Sequence, residues 1–369
     1  MKILRALAVA ALAASLVAGC FGGGPTTPPP PGPTGSAAPS PRSSSAPSAS
    51  PSSTPLANPA TVRLALDWTP NTDHTAFFVA DHEGWYADAG IRLQILPYAT
   101  ATPETLIAAH QAECGISFQD SLTFAAAAGA DLVSVAAILQ KTASAIGVLA
   151  SGPLQRPRDL DGKTYAGFGY PNEVPTLKAV IQADGGKGDF TVATLDAAAY
   201  EALYQNKADF TIPFTAWEGV EASQRGIPIR YFQFSDYGFP EFYQVVLACD
   251  RQWLDANPDA AQRFVAASVK GMQFSNDHPT EAAAMLVAKN PGVFDANPDL
   301  PNASQKFLAF GGYLVDASGM AGTQTLQRWT AYSKFLYDQG LLVDADGHPL
   351  TAPLDYGKLF TDDFLPGSR

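Results

Sequence analysis

The hydrophobic and polar positions change character at residue 61. From there, short apolar runs alternate with segments of helical spacing. Residues 62–66 predict a strand, 75–89 a helix, 91–96 a strand, 102–111 a helix behind Pro103, and 115–118 a strand. A helix over 121–128 and strands over 132–139 and 146–150 follow. The alternation restarts after Pro153, with strands over 163–168, 190–195 and 210–213 and helices over 174–183 and 197–206. Residues 245–248 predict one more strand, and beyond Gln252 apolar positions such as Phe264, Val269, Met272 and Phe274 recur at helical spacing. Strands alternating with helices argue βαβ units and mainly parallel sheets. Two α/β lobes joined in mid-chain, with a helical return, is the organisation of a hinged binding protein.

Before residue 61 the pattern is of another kind. Lys2 and Arg5 precede an apolar stretch over 6–18, interrupted only by Ser15, and Val17-Ala18-Gly19-Cys20 closes it. That stretch is too short to span a bilayer and has the length of a signal peptide. Its last four residues resemble the bacterial lipobox, so residues 1–19 are expected to be removed and Cys20 to carry a diacylglyceryl group. Residues 21–60 hold 12 Pro and one charge, Arg42, among Ser, Thr, Gly and Ala. So little apolar surface cannot offset the entropy of ordering, and 20–60 reads as a lipidated disordered tether.

Charge removes one class of partner. The 369 residues carry 23 Lys+Arg against 35 Asp+Glu, and all the acids lie beyond residue 60. A phosphate lattice needs a basic footprint, so nucleic acid is excluded as a partner. Three Cys do not make a disulfide scaffold or a multi-Cys zinc module. The five His are scattered, without a helical or HxH ligand spacing between them, and no metal or cofactor is expected.

Several motifs invite a small ligand. Asp67-Trp68-Thr69-Pro70-Asn71-Thr72-Asp73-His74 follows the first strand, at the carboxyl end that faces a ligand crevice in open α/β sheets. Trp68 offers an aromatic face, while Asn71 and His74 offer donors and acceptors for ring nitrogens and exocyclic groups. Trp68 in a core and Asn71 in an Asx turn are the alternatives. Gln119 ends the third strand at the same rim, where 117–121 also reads as a helix cap. In the second half, Gly167-Phe168-Gly169-Tyr170-Pro171-Asn172 lies between strand and helix, and its exposed backbone N–H groups would suit an anionic substituent. It lacks dinucleotide or P-loop spacing. Trp217 and Glu218 pair an indole with a carboxylate, which suits an aminopyrimidine; Glu218 is equally a helix N-terminal acid favoured by the macrodipole. Tyr243 precedes the strand at 245.

These same motifs, with Gly115-Ile116-Ser117-Phe118-Gln119-Asp120, Trp217-Glu218-Gly219 and Phe242-Tyr243, resemble in order the solute-binding proteins of ABC importers for thiamine pyrimidine precursors and riboflavin-type heteroaromatics. The resemblance spans residues 62–337. It implies the α/β type II periplasmic-binding-protein fold, with two lobes joined by crossover strands placed near 149–152 and 245–249. Lobe 1 would comprise 61–150 and 249–369, and lobe 2 would comprise 151–248. It implies a monomer that binds a small heteroaromatic without chemistry and meets a membrane permease with its ATPase. Trp68, Asn71, His74, Gln119, Tyr170, Asn172, Trp217, Glu218 and Tyr243 are the expected ligand contacts. Another branch resembles a pyrimidine synthase that uses pyridoxal phosphate and needs a Lys and a His within the segment matching 115–121. Here Ser117 and Ser121 stand there, so a binder is expected. A sulfonate or another aromatic solute is the remaining alternative.

The resemblance also bears on the two remaining thiols. In that topology the returning crossover strand lies antiparallel beside the third strand, which brings Cys114 opposite Cys249 at the end far from the cleft. A disulfide there, or two buried thiols, are both open at this point.

Overall fold

A computed structural model describes residues 59–367. The expected signal segment and Cys20 lie outside the described residues, as does the expected tether apart from Pro59 and Ala60. The chain runs β1 (Ala60–Ala65), α1 (Thr75–His82), α2 (Trp85–Asp88), β2 (Ile91–Leu96), α3 (Pro103–Ala108), β3 (Cys114–Phe118), α4 (Gln119–Ala127) and β4 (Leu132–Ala137). A second series follows as β5 (Ala145–Leu149), β6 (Thr164–Gly167), α5 (Glu173–Ala183), β7 (Thr191–Thr194), α6 (Ala198–Tyr204), β8 (Phe210–Thr211), α7 (Glu218–Gln224) and β9 (Ile229–Gln233). The return is β10 (Val245–Asp250), α8 (Arg251–Ala256), α9 (Pro258–Asp277), α10 (Pro279–Lys289), α11 (Leu300–Phe310) and α12 (Leu326–Asp338).

Two five-stranded sheets result, ordered β2-β1-β3-β10-β4 and β7-β6-β8-β5-β9. Each is parallel except for the strand by which the chain enters it: β5 runs against β8 and β9, and β10 against β3 and β4. The chain therefore changes lobe over 138–144 and 234–244. The expected crossovers at 149–152 and 245–249 are misplaced: β5 already belongs to the second sheet, and β10 belongs wholly to the first. The break between β4 and β5 is short and mostly apolar at its ends, which hides the change of sheet from a pattern reading.

Side chains of the second crossing bond both the backbone and a side chain of the first. Ala143 N–H donates to Gln244 Oε1 at 2.6 Å, Thr142 N–H to Glu241 Oε2 at 3.2 Å, and Gln244 Nε2 to Ser144 Oγ at 2.5 Å. Buried backbone without a sheet partner needs such acceptors.

Two further differences concern elements. The helix expected over 75–89 is broken by Gly84, whose φ of 75° leaves the helical region, and continues as α2. The edge strand β9 has no counterpart in the pattern reading. The C-terminal segment is also shared between lobes. On α12, Trp329 packs with Tyr243 and Val246 of the first lobe, whereas Tyr332 and Leu336 join Phe239 and Phe242 in the core around β5, β6 and β8. Assigning all of 249–369 to lobe 1 thus misses the part that α12 plays in lobe 2.

The turn that begins the site is held from behind. Six of the eight residues of α1 are buried, and the helix lies against α9. Contact is so close at Gly271 that a Cβ there would stand 2.1 Å from the Ala76 carbonyl oxygen. Alanine gains about 1 kcal/mol over glycine in a free helix, but an overlap of this size costs more, so glycine is required.

Candidate functional site

The crevice between the sheets contains a cavity of about 330 Å³. On the first-lobe side the turn after β1 forms its wall. Asn71 Oδ1 accepts the Asp73 N–H at 2.9 Å, and Asn71 N–H reaches His74 Nδ1 at 3.3 Å. Because Nδ1 accepts, the proton of a neutral His74 sits on Nε2, which donates to Asp67 Oδ1 at 2.7 Å. This short capped turn sets Asp67, Trp68, Asn71 and Asp73 on the cavity wall. Trp68 packs against Tyr98 with ring centres 4.9 Å apart. The Asx-turn reading of Asn71 and its place at the cavity hold together.

On the opposite side the glycine-rich turn after β6 wraps around Glu173. Phe168 N–H donates to Glu173 Oε1 and Gly169 N–H to Oε2, both at 3.0 Å. The anion suited to this turn is therefore supplied by the chain itself, and the expectation of an anionic ligand substituent there is overturned. A Cβ on Gly167 would lie 2.6 Å from the same carboxylate, and Gly169 has φ of 93°. Glu218, at the start of α7, accepts the Phe214 N–H through Oε2 at 3.1 Å. Asn172 Nδ2 donates to Asp120 Oδ2 at 2.6 Å and to the Tyr332 hydroxyl at 3.0 Å.

Of the expected contacts, Trp68, Asn71, Tyr170, Asn172, Trp217 and Glu218 line the cavity. His74, Gln119 and Tyr243 do not. His74 is wholly buried behind the turn. Gln119 is equally buried; its Nε2 donates to the Trp329 carbonyl at 3.1 Å and its Oε1 accepts the Tyr243 N–H at 2.9 Å. Tyr243 is 2% exposed, with the Arg328 guanidinium over its ring. Each points away because its polar atoms are committed to scaffold bonds.

The lining contains carboxylates the pattern reading passed over: Asp67, Asp73, Glu104, Asp120 and Glu173 beside Glu218, and no Lys, Arg or His. Burial pushes Asp73 and Glu218 up to about 7 and Asp120 up to about 6. A carboxyl poised there offers one donor and one acceptor in a plane, the complement of a ring nitrogen beside an amino group. Phe118, Phe168 and Tyr200 add flat apolar faces. A sulfonate finds no cation in this lining.

A profile described as NMT1/THI5 like matches residues 71–282, from the capped turn through both crossings into α10. The chain belongs to the NMT1/THI5-like family. Among its relatives, the formylaminopyrimidine-binding protein of Halalkalibacterium halodurans is 28% identical over 231 residues, covering 61% of this chain and 69% of the relative. The riboflavin-binding protein RibY of Chloroflexus aurantiacus is 25% identical over 313 residues, covering 83% and 86%. A ligand-binding component of an ABC-type import system from Staphylococcus aureus, solved with zinc bound, superposes with a TM-score of 0.64 at 13% identity, covering 84% of this chain and 99% of that one. The fold is thus the periplasmic-binding-protein fold. In this NMT1/THI5-like chain, the described residues that bring three metal-ligating groups together are Asp344, Asp346 and His348, none of which lines the cavity. Among the described residues no helix is long and apolar enough to cross a membrane.

Proposed function

We propose that this chain is the extracytoplasmic solute-binding protein of an ABC importer, held to the membrane through a lipid on Cys20, and that it captures a small planar heteroaromatic of the thiamine-pyrimidine-precursor class. The observation that carries this reading is the lining: aromatic faces and carboxylates, with no Lys or Arg. Trp68 and Trp217 take the ring faces, and Glu218 accepts from an exocyclic amino group. Asn71, Tyr170 and Asn172 complete the contacts. Similarity to a formylaminopyrimidine-binding relative supports the same ligand class. A riboflavin-type ligand is the second reading, supported by the relative that spans more of the chain.

No chemistry on the ligand is part of this reading. The segment that in the synthase branch carries a Lys and a His has Ser117 and Ser121 here. Ser117 Oγ is engaged by Glu104 Oε1 at 2.5 Å. A calorimetric and thermal-shift screen of aminopyrimidines, flavins and alkanesulfonates against the mature protein tests the proposal. Tight binding within the first group supports it; tight binding of a sulfonate, or turnover of an aminopyrimidine, overturns it.

A further inference from the structure

Most carboxylates facing the cavity already hold a partner. Asp67 receives His74 Nε2–H, Glu104 the Ser117 hydroxyl, Glu173 two backbone N–H groups and Glu218 the Phe214 N–H. Asp120 receives the Ser121 N–H and the Asn172 amide. Asp73 differs. It lines the cavity, is only 8% exposed, and its Oδ1 has no hydrogen-bond partner among the described residues. A buried, unpaired carboxylate oxygen is costly, and rotation about the last side-chain bond can present either oxygen to an arriving donor.

The surroundings sharpen the demand. Asp67 and, from α7, Glu218 are near enough to raise its proton affinity further, and His74 is the one base acting against them. His74 already has both ring nitrogens engaged. From α11, packed on the same turn, it is the Ser304 hydroxyl that reaches in, bonding Thr72 rather than Asp73. Apart from His74 behind the turn, the described lining holds no Lys, Arg or His to set against these carboxyls.

Resting on the heteroaromatic reading above, we infer that the ligand is a cation: a planar ring bearing a protonated amine or comparable N–H⁺ group, received by Asp73 between Asp67 and Glu218. Trp68 and Trp217 then serve a charged ring substituent as well as its π-face, since indoles attract cations. The pocket would discriminate within one ring system by side-arm charge. An ammonium placed on Asp73 gains a charge-assisted bond, whereas an alcohol or an amide leaves the carboxylate without a countercharge.

Three probes sharing one ring decide this: 4-amino-2-methylpyrimidine bearing at position 5 an aminomethyl, an N-formylaminomethyl or a hydroxymethyl arm. Titration calorimetry on the mature wild-type protein at about pH 7.5 is expected to give the amine at least about tenfold tighter binding than either neutral arm. That preference should shrink towards about pH 5.5, where Asp73 takes up a proton while the primary amine keeps its charge. Asp73→Asn should erase the preference while the neutral probes still bind; if that variant does not fold, the wild-type pH comparison decides. Equal or tighter binding of a neutral arm overturns the cation and leaves the heteroaromatic reading standing. Failure of all three probes removes the pyrimidine reading and the cation with it.

Discussion

Asn172 Nδ2 lies 2.6 Å from Asp120 Oδ2, joining the turn after β6 in the second lobe to α4 in the first. The same amide reaches Tyr332 on α12, so three elements meet at one side chain. In a hinged binding protein that parts its lobes to admit ligand, opening would break this bond, so the bond would favour the ligand-holding state.

Asn172→Ala is therefore expected to weaken ligand binding by about tenfold, the scale of one hydrogen bond to a charged acceptor, with little change in thermal stability. Calorimetry and a melting curve check both halves. Unchanged affinity would mean that this bond contributes nothing to closure.

Trp68 and Trp217 line the cavity, and Trp217 also packs edge-on against Phe294 with centres 6.3 Å apart. Ligand should change the intrinsic fluorescence, and Trp217→Ala should weaken binding by about 1–3 kcal/mol, as for a lost stacking partner. Affinity unchanged in both Trp→Ala variants would remove the indoles from the site.

Stability should depend on pH in a definite sense. Burial raises Asp73 and Glu218 to about 7 and Asp120 to about 6, whereas the unfolded chain has ordinary carboxyls. The folded apo protein therefore binds protons more tightly than the unfolded chain, and these groups cost stability progressively as pH rises through that window. A Tm lower by about 2–6 °C at pH 8 than at pH 5.5 is expected, flattened in Asp73→Asn/Glu218→Gln. A profile that rises with pH and is unaffected by the double variant would contradict it.

Cys114 and Cys249 are directly opposed in the β3–β10 pairing and joined, with Cα atoms 4.0 Å apart and a sequence separation of 135. Closing so long a loop should stabilise the fold by about 2–4 kcal/mol. Cys114→Ser/Cys249→Ser should lower the denaturation midpoint accordingly and leave affinity unchanged, because the pair lies at the end of β3 away from Phe118, which lines the cavity. Loss of binding in a folded variant would show that the staple also shapes the cleft.

The legible part of the fold was its alternation: β2 occupies the expected residues, and most other elements fall within a few positions of expectation. β9 escaped because Ile229-Arg230-Tyr231-Phe232-Gln233 mixes charge into a short half-buried edge run. Arg230 spends its guanidinium on the Leu154 and Ala150 carbonyls, a tertiary reason that no local pattern contains. At the site, aromatic and amide residues in turns were legible, since a turn after a strand faces the crevice. Gln119 and Tyr243 misled because their role depends on α12 and its cap Thr325, about 200 and 80 residues away in sequence, which take up their side-chain bonds. Asp73 and Asp120 stood inside the quoted motifs, yet nothing in spacing alone showed that the lining lacks a cation.

Mass spectrometry of small molecules released from gently purified wild-type protein tests the central claim most directly. A nitrogen heteroaromatic of the aminopyrimidine class, recovered near one per protein and lost from Trp217→Ala, is the expected result. Recovery of a sulfonate or another anion in its place would contradict it.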